Sequence, residues 1–239
     1  MRLGRIDYES ALDLQLRLCE AKKRGMEPDV LLLLEHPPVI TLGRNGNWHN
    51  LVVPDEVLQA RGVARFETDR GGDITFHGPG QLVGYPILRL EPGERDVHLY
   101  MRRLEECLIR MLAAYGIRAY RDPRYTGVWT GDGKIAAMGV HLSRWVTRHG
   151  FALNVNTDLS YYDLIIPCGI AGKGVTSMCR VLARPIELGD VAVRAALEFA
   201  VLFGRRLEWR AAEELHAELA GRWEDGWSGK NRPASLQAR

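Results

Sequence analysis

The sequence predicts an α+β fold with a mixed, mainly antiparallel sheet flanked by helices. Short apolar runs bounded by glycine and proline alternate with a few longer amphipathic stretches, a pattern typical of locally paired strands covered by helices. No internal repeat or linker-like change of composition interrupts the 239 residues. We therefore expect one domain over residues 1–225 and a polar, flexible tail over residues 226–239, with a small C-terminal subdomain as the alternative.

The first quarter of the chain predicts a helix followed by two strands. Apolar residues recur at helical spacing over residues 8–25 and place Cys19 on the buried face. Residues 29–43 predict two strands, because the apolar run is broken by Pro37 and Pro38.

A glycine-rich cluster lies between residues 70 and 80. Residues 73–76 and 81–88 predict strands, and His77-Gly78-Pro79-Gly80 between them is a strong turn signal. Turn chemistry alone explains this segment equally well as a hairpin and as a loop whose exposed amides bind a ligand.

The middle of the chain predicts a long helix and a hairpin. Residues 96–115 form an amphipathic pattern that contains Cys107, which we expect to be packed in the core. The turn Gly131-Asp132-Gly133 precedes a strand that begins at Lys134, and the chain returns over residues 151–156.

The last third predicts one strand and two helices. Leu164 to Ile166 is a strand-like run, Asp190 is the expected cap of a helix that ends at Phe203, and residues 211–223 predict a final helix.

Composition excludes several classes of function. The formal net charge of +2 and the lack of a dense basic run argue against nucleic-acid binding. No apolar run is long enough to be a signal peptide or a membrane span. Four cysteines without a paired CxxC spacing argue against a zinc site and a disulfide framework, so we expect reduced thiols and a cytoplasmic protein. The glycine clusters do not match a P-loop, which argues against ATP binding by that route.

Cys168 is the candidate nucleophile. It lies between Pro167 and Gly169, where a sharply turned backbone can present a thiol and leave amides free. The alternative is an inert, buried cysteine. A cation near the thiol would favour the thiolate, and the residues leave His77, His141 and Lys134 open as candidates.

Four segments together resemble one enzyme family. They are RGGDITFHGPGQLVGYPI, GKIAAMGVHLSRW, GFALNVNTDL and PCGIAGKGVTS, and the match spans roughly residues 30–180. The chain resembles the octanoyltransferases of lipoate biosynthesis, the lipoyl(octanoyl) transferases, which are related to lipoate and biotin protein ligases. Phe76 and Met178 stand where the pattern leads us to expect tyrosine and leucine, and both preserve apolar bulk.

The resemblance implies a fold, a reaction and a set of site residues. It implies a biotin/lipoate protein ligase-like catalytic domain that moves an octanoyl group through a thioester on Cys168, with Lys134 lowering the pKa of the thiol and shuttling protons. No cofactor or metal is implied. The substrate-binding residues that it implies are Arg70, Gly71, Gly72, Asp73, Ile74, Thr75, Phe76, His77, Ala137, Met138, Gly139, Gly150, Phe151 and Ala152. As walls of an apolar acyl tunnel we expect Val39, Ile40, Met138 and Phe151.

The resemblance also implies partners. The donor is octanoyl-acyl carrier protein, and the acceptors are lipoyl domains of 2-oxoacid dehydrogenase acyltransferase subunits and the H protein of glycine cleavage. Neither nucleic acid nor a membrane is implied. The alternatives are an ATP-dependent lipoate or biotin ligase, which would use a lysine resembling Lys134 but would not need Cys168, and a catalytically inactive acyl-binding or partner-binding module.

Overall fold

The computed structural model describes residues 1–25, 28–167, 174–211 and 214. Its α-helices are α1 (Tyr8–Lys23), α2 (Asp55–Ala60), α3 (Val97–Ala113), α4 (Met178–Leu182) and α5 (Leu188–Phe203). Its strands are β1 (Arg2–Arg5), β2 (Val30–Glu35), β3 (Val39–Leu42), β4 (Ala64–Glu67), β5 (Ile74–His77), β6 (Gln81–Ile87), β7 (Tyr120–Asp122), β8 (Tyr125–Thr130), β9 (Gly133–Ser143) and β10 (Val146–Asn154).

Two sheets organise these elements. A seven-stranded sheet has the order β1-β2-β6-β10-β9-β8-β7, and a three-stranded sheet has the order β4-β3-β5. Among the strand pairs of the described residues, β1–β2 and β3–β4 are parallel and the others are antiparallel. The predicted mixed, mainly antiparallel sheet is therefore confirmed.

Helices cover both faces of the large sheet because its strands are apolar on both sides. Leu14 and Leu18 of α1 pack with Leu32 and Val83 on one face. On the other face, α3 and α5 pack against the alternate residues, for example Leu33 and Leu82. Burial on both faces is why these strands read as continuous apolar runs.

Three of the four helix predictions are confirmed, as α1, α3 and α5, with one change of cap. Helix α1 begins after Asp7 and α3 begins after Asp96; each of these aspartates accepts a hydrogen bond from a backbone N–H of the first turn. Helix α5 is capped by Glu187 instead of Asp190, because Glu187 accepts from the Gly189 N–H and Asp190 already lies in the first turn.

The strand predicted over residues 164–166 is wrong. Leu164 ends a 3₁₀ turn, Leu159–Leu164, which starts where the Asp158 side chain accepts from the Ser160 N–H. Ile165 forms only an isolated bridge to Leu51. Leu164 and Ile165 are buried and Ile166 is exposed. The pairing with residues 50–52 is limited to this bridge and to the hydrogen bonds from the Val52 N–H to the Leu164 carbonyl and from the Ile166 N–H to the Asn50 carbonyl.

The hairpin interpretation of residues 73–88 is also wrong. β5 pairs with β3 in the small sheet, whereas β6 pairs with β2 and β10 in the large one. The turn at residues 77–80 thus carries the chain from one sheet to the other. Gly80 has φ of +78° there, and a Cβ would lie 2.7 Å from the Asn156 carbonyl carbon.

Two predictions fall outside the described residues. The helix predicted over residues 211–223 lies almost wholly there, as does the tail over residues 226–239, so the domain boundary at residue 225 stays a prediction. Among the described helices, none is long and apolar enough to cross a membrane.

Candidate active site

A cavity of about 650 Å³ lies where the two sheets meet the start of α3. Its walls come from the β9–β10 hairpin, the 70–73 loop, strand β5, the first turns of α3 and the start of β8. The structure brings together here Lys134 and all but one of the residues expected to bind substrate: Arg70, Gly71, Gly72, Asp73, Ile74, Thr75, His77, Ala137, Met138, Gly139, Gly150, Phe151 and Ala152.

Phe76 does not line the cavity. It is buried in the core of the small sheet and stacks on Tyr161 with ring centroids 4.7 Å apart. Its chain neighbours Thr75 and His77, whose side chains alternate to the other face of β5, line the cavity. Of the four expected tunnel walls, Met138 and Phe151 line the cavity, whereas Val39 and Ile40 lie in the core of the small sheet.

The 70–73 loop is fixed by its backbone. The Gly71 N–H donates to the Val140 carbonyl of β9 at 2.9 Å, and the Arg44 N–H donates to the Arg70 carbonyl at 2.9 Å. A Cβ on Gly71 would approach nothing nearer than the Val140 oxygen at 3.5 Å. The loop therefore closes one edge of β9, and a Cβ on Gly71 would make only an ordinary contact there.

Arg70 and Asp73 are engaged by neighbouring protein groups. The buried Arg70 guanidinium donates to the Thr41 carbonyl at 2.8 Å and to the Thr41 hydroxyl at 2.9 Å. The Asp73 carboxylate accepts from the Asn47 N–H and from the Asn50 side chain. Arg70 ties the loop to β3 of the small sheet, and Asp73 ties it to the 47–50 segment that follows β3. Both side chains therefore hold the cavity wall in place.

The histidines beside the cavity are uncharged near neutral pH. Burial lowers the pKa of His77 to about 3 and that of His149 to about 4. His77 Nδ1 donates to Gln81 Oε1 at 2.8 Å, because the Gln81 amide nitrogen is used to donate to Asn154. Burial also lowers the pKa of His141, which does not line the cavity. None of these three histidines supplies a positive charge there.

Asp69 holds His149 from behind the cavity. Its carboxylate lies 3.1 Å from His149 Nε2 and forms an ion pair with Arg148. Burial alone would raise the pKa of Asp69, but the hydrogen bond from His149 and the charge of Arg148 lower it. The contacts of Asp69 with His149 and Arg148 fix the orientation of the His149 ring. The backbone of His149 is in the left-handed region, with φ of +56°.

Lys134 is the nearly buried cation of the β8–β9 hairpin. Its side chain lies across from Trp129, with Nζ 5.0 Å from the centroid of the indole ring. Its backbone N–H donates to the Gly174 carbonyl at 2.9 Å, and its carbonyl accepts from the Thr176 N–H at 2.9 Å. The stretch that follows Cys168 in the sequence is thus paired with the strand that carries Lys134.

Cys168 itself belongs to residues 168–173, which are outside the described residues. Of the other thiols, Cys19 and Cys107 are buried as predicted. Burial raises the pKa of Cys19 to about 12 and also raises that of Cys107. Neither is suited to form a thiolate.

Several cavity residues were missed at the sequence level. Tyr8, Tyr85 and Tyr125 line the cavity from three separate elements, and Glu105 reaches it from α3. No local motif marks them. The facing of Trp129 and Lys134 could have been found, because the predicted turn at residues 131–133 places them on opposite strands of one hairpin.

The mixed sheet flanked by helices and the cavity beside Lys134 define a catalytic domain, and comparison with known proteins identifies its class. The family model of the lipoyl protein ligase A/B catalytic domain matches residues 7–200, and the chain belongs to that family. A solved bipartite lipoate protein ligase from Thermoplasma acidophilum has the same fold, with a TM-score of 0.71 over 92% of this chain and 90% of that one at 16% identity.

Within the family the chain is similar to octanoyltransferases, which confirms the resemblance. The octanoyltransferase of Solibacter usitatus is 57% identical over 202 residues, covering 84% of this chain and 91% of that protein. The octanoyltransferase of Caldicellulosiruptor saccharolyticus is 45% identical over 225 residues, covering 93% and 96%.

Proposed function

We propose that the protein transfers an octanoyl group from octanoyl-acyl carrier protein to the target lysine of lipoyl domains, through a thioester on Cys168. High identity to octanoyltransferases supports the transfer and makes the protein an acyltransferase. The observation that carries the mechanism is the position of Lys134, which faces the cavity and whose strand pairs with Gly174 to Thr176, just beyond the Cys168 segment.

The first half-reaction is an exchange of thioesters. The Cys168 thiolate attacks the octanoyl carbonyl, a carbon–sulfur bond to Cys168 forms, and the bond to the carrier's pantetheine sulfur breaks. The carrier leaves as a thiolate and takes up a proton. One thioester replaces another, so the step is close to balanced in free energy.

The second half-reaction forms an amide. The acceptor lysine attacks as a neutral amine, the carbon–nitrogen bond forms, and Cys168 leaves as a thiolate while the amine loses one proton. An amide is more stable than a thioester, so the step runs downhill without ATP.

Lys134 acts in both half-reactions. As an ammonium it favours the Cys168 thiolate, and as a neutral amine it accepts the proton of the attacking lysine. The uncharged state of His77 and His149 supports this assignment, because a neutral imidazole does not stabilise a thiolate by charge.

The expected partners and compartment follow from this reaction. The donor is an acyl carrier protein, and the acceptors are lipoyl domains of 2-oxoacid dehydrogenases and the glycine-cleavage H protein. The reaction takes place in the cytoplasm and uses neither metal nor cofactor. Arg70 to Thr75, His77, Ala137 to Gly139, and Gly150 to Ala152 form the substrate-binding walls, with Phe76 behind them.

The test follows the mass of a purified lipoyl domain mixed with octanoyl-acyl carrier protein and the enzyme, without ATP. The wild-type enzyme adds one octanoyl group. Cys168→Ala abolishes the transfer, and Lys134→Ala slows it by roughly 10² to 10⁴-fold, the usual loss for a general acid–base group.

The matched control is His141→Gln, a change to a titratable side chain on the same strand as Lys134 that does not line the cavity; it keeps nearly the wild-type rate. Modification that requires free octanoate and ATP would instead identify a ligase. Binding of the octanoyl carrier without any transfer would identify an inactive acyl-binding module.

A further inference from the structure

The Lys134 side chain lies against a fixed aromatic ring. Trp129 is its partner on β8, and Lys134 Nζ is 5.0 Å from the ring centroid. Trp129 is 3% exposed, and its indole N–H donates to the Tyr125 carbonyl at 3.2 Å. The ring is therefore held in one orientation by packing and by a hydrogen bond.

A glycine supplies the space on the other side of the lysine. Gly127 has φ of +123°, and a Cβ built on it would lie 2.9 Å from Lys134 Cε and 3.5 Å from Nζ. The same Cβ would lie 2.6 Å from the Ala136 carbonyl oxygen. Both the backbone conformation and the path of the lysine side chain thus require glycine at this position.

Helix α3 fixes the backbone of this glycine. Glu105, which is 1% exposed, accepts the Gly127 N–H at 3.1 Å through Oε1. Its other oxygen accepts from Arg102 at 2.7 Å, so the buried carboxylate is paired. β8 no longer pairs with β9 beyond Val128. The bond from α3 therefore gives the Gly127 N–H a partner and helps to hold this glycine beside the lysine.

We propose that Gly127 and Trp129 are positioning residues: Gly127 gives the Lys134 side chain its path, and Trp129 holds its amine in place as a cation beside the cavity. The attraction of an ammonium to an aromatic face is lost when the amine is neutral. Trp129 thereby favours the charged form that stabilises the Cys168 thiolate. This inference rests on the role of Lys134 in the proposed transfer.

The first test compares Trp129→Phe with Trp129→Leu. NMR of the Lys134 ¹³Cε resonance gives the pKa of the amine, and kcat/KM for acylation of Cys168 is measured against pH. Trp129→Leu lowers the pKa of Lys134 by roughly half a pH unit or more and moves the alkaline limb of kcat/KM to lower pH by the same amount. Trp129→Phe, which keeps an aromatic face, restores most of both shifts.

A purely structural role for Trp129 would lower the rate without moving either quantity. The proposal is overturned if Trp129→Leu keeps the wild-type pKa of Lys134 and the wild-type alkaline limb. Thermal melting of each variant checks that it is folded before the titration is made.

The second test compares Gly127→Ala with Gly131→Ala, a glycine on the same hairpin where a Cβ would meet nothing within 4 Å. Gly127→Ala loses octanoyl transfer by roughly 10 to 100-fold, since small displacements of a reacting group have effects of that order. Gly131→Ala keeps the wild-type rate. Equal rates in the two variants would contradict the role of Gly127. If Gly127→Ala does not fold, the comparison of Trp129→Leu with Trp129→Phe tests the proposal.

Lys134→Ala separates this inference from the proposed function. Wild-type transfer by Lys134→Ala would remove the lysine from the mechanism, and the positioning proposal would fall with it. Loss of transfer in Lys134→Ala together with an unshifted titration in Trp129→Leu would leave the proposed function intact and overturn the positioning proposal alone.

Discussion

Burial keeps the inner histidines of this protein uncharged. It lowers the pKa of His36 to about 4, that of His77 to about 3 and that of His149 to about 4. Each ring is hydrogen-bonded; His36, for example, lies 2.8 Å from both the Ile6 carbonyl and the Tyr85 hydroxyl. These histidines are therefore neutral, hydrogen-bonded groups beside the cavity, whereas Lys134 is the side chain to which we assign a positive charge there.

These lowered pKa values predict acid sensitivity. In the unfolded chain the pKa of a histidine is near 6.5. Below pH 6.5 these histidines are therefore protonated in the unfolded state but remain neutral in the folded state. The free energy of unfolding should fall as the pH is lowered from 7 towards 4, by up to about 1.4 kcal/mol per pH unit for each histidine. Urea unfolding across this range measures it.

His36→Gln is the variant for this measurement, because it removes the titration of one of these buried histidines. Its slope of stability against pH should be smaller than that of the wild type, by up to about 1.4 kcal/mol per pH unit. A free energy of unfolding that stays level between pH 7 and pH 5 in the wild-type protein would show that these histidines are not buried as neutral groups.

Residue identities were predictable where the residues are neighbours in the sequence. The glycine-rich segment from Arg70 to His77 predicted a cavity wall, and all of its residues except Phe76 line the cavity. Phe76 packs in the core of the small sheet, because the local sequence does not show which face of β5 meets the cavity. Gly127 was not predictable. Position 127 requires glycine because the Lys134 side chain, on the next strand, occupies the space of a Cβ. No pattern in the local sequence indicates that contact.

At the scale of elements, the strands were more predictable than their partners. β5 and β6 both lie where apolar runs place them, but their pairing is decided by β3, β2 and β10. Turn residues specify a change of direction and not the sheet to which the chain returns. The helices α1, α3 and α5 were predictable because amphipathic spacing and capping act within each helix.

The pairing of β6 with β10 depends on close backbone contact at Gly150. A Cβ there would collide with the Gly84 carbonyl oxygen and would lie 2.6 Å from Pro86 Cδ. Gly150→Ala should therefore destabilise the fold by about 1–3 kcal/mol, the usual cost of overpacking. In thermal melting this corresponds to a loss of roughly 2–4 °C per kcal/mol for a chain of this size.

Gly93→Ala is the matched control, since a Cβ at Gly93 meets nothing within 4 Å. It should change stability by less than about 0.5 kcal/mol. If Gly150→Ala melts at the same temperature as Gly93→Ala, the two strands are not packed as closely as described.

At the scale of the whole molecule, the cavity is assembled from segments far apart in the sequence. The 70–73 loop closes one edge of β9, α3 reaches the cavity with its first turns, and the β8–β9 hairpin carries Lys134. The sequence motifs alone did not show that the loop and the hairpin belong to one site; the family resemblance did. The contribution of α3 required the three-dimensional packing.

The most direct measurement is intact-mass spectrometry of the purified protein after mixing with octanoyl-acyl carrier protein in the absence of ATP. We predict a gain of one octanoyl group that hydroxylamine removes and that Cys168→Ala does not acquire. If no adduct formed and lipoyl domains were modified only from free octanoate in the presence of ATP, transfer through Cys168 would be contradicted.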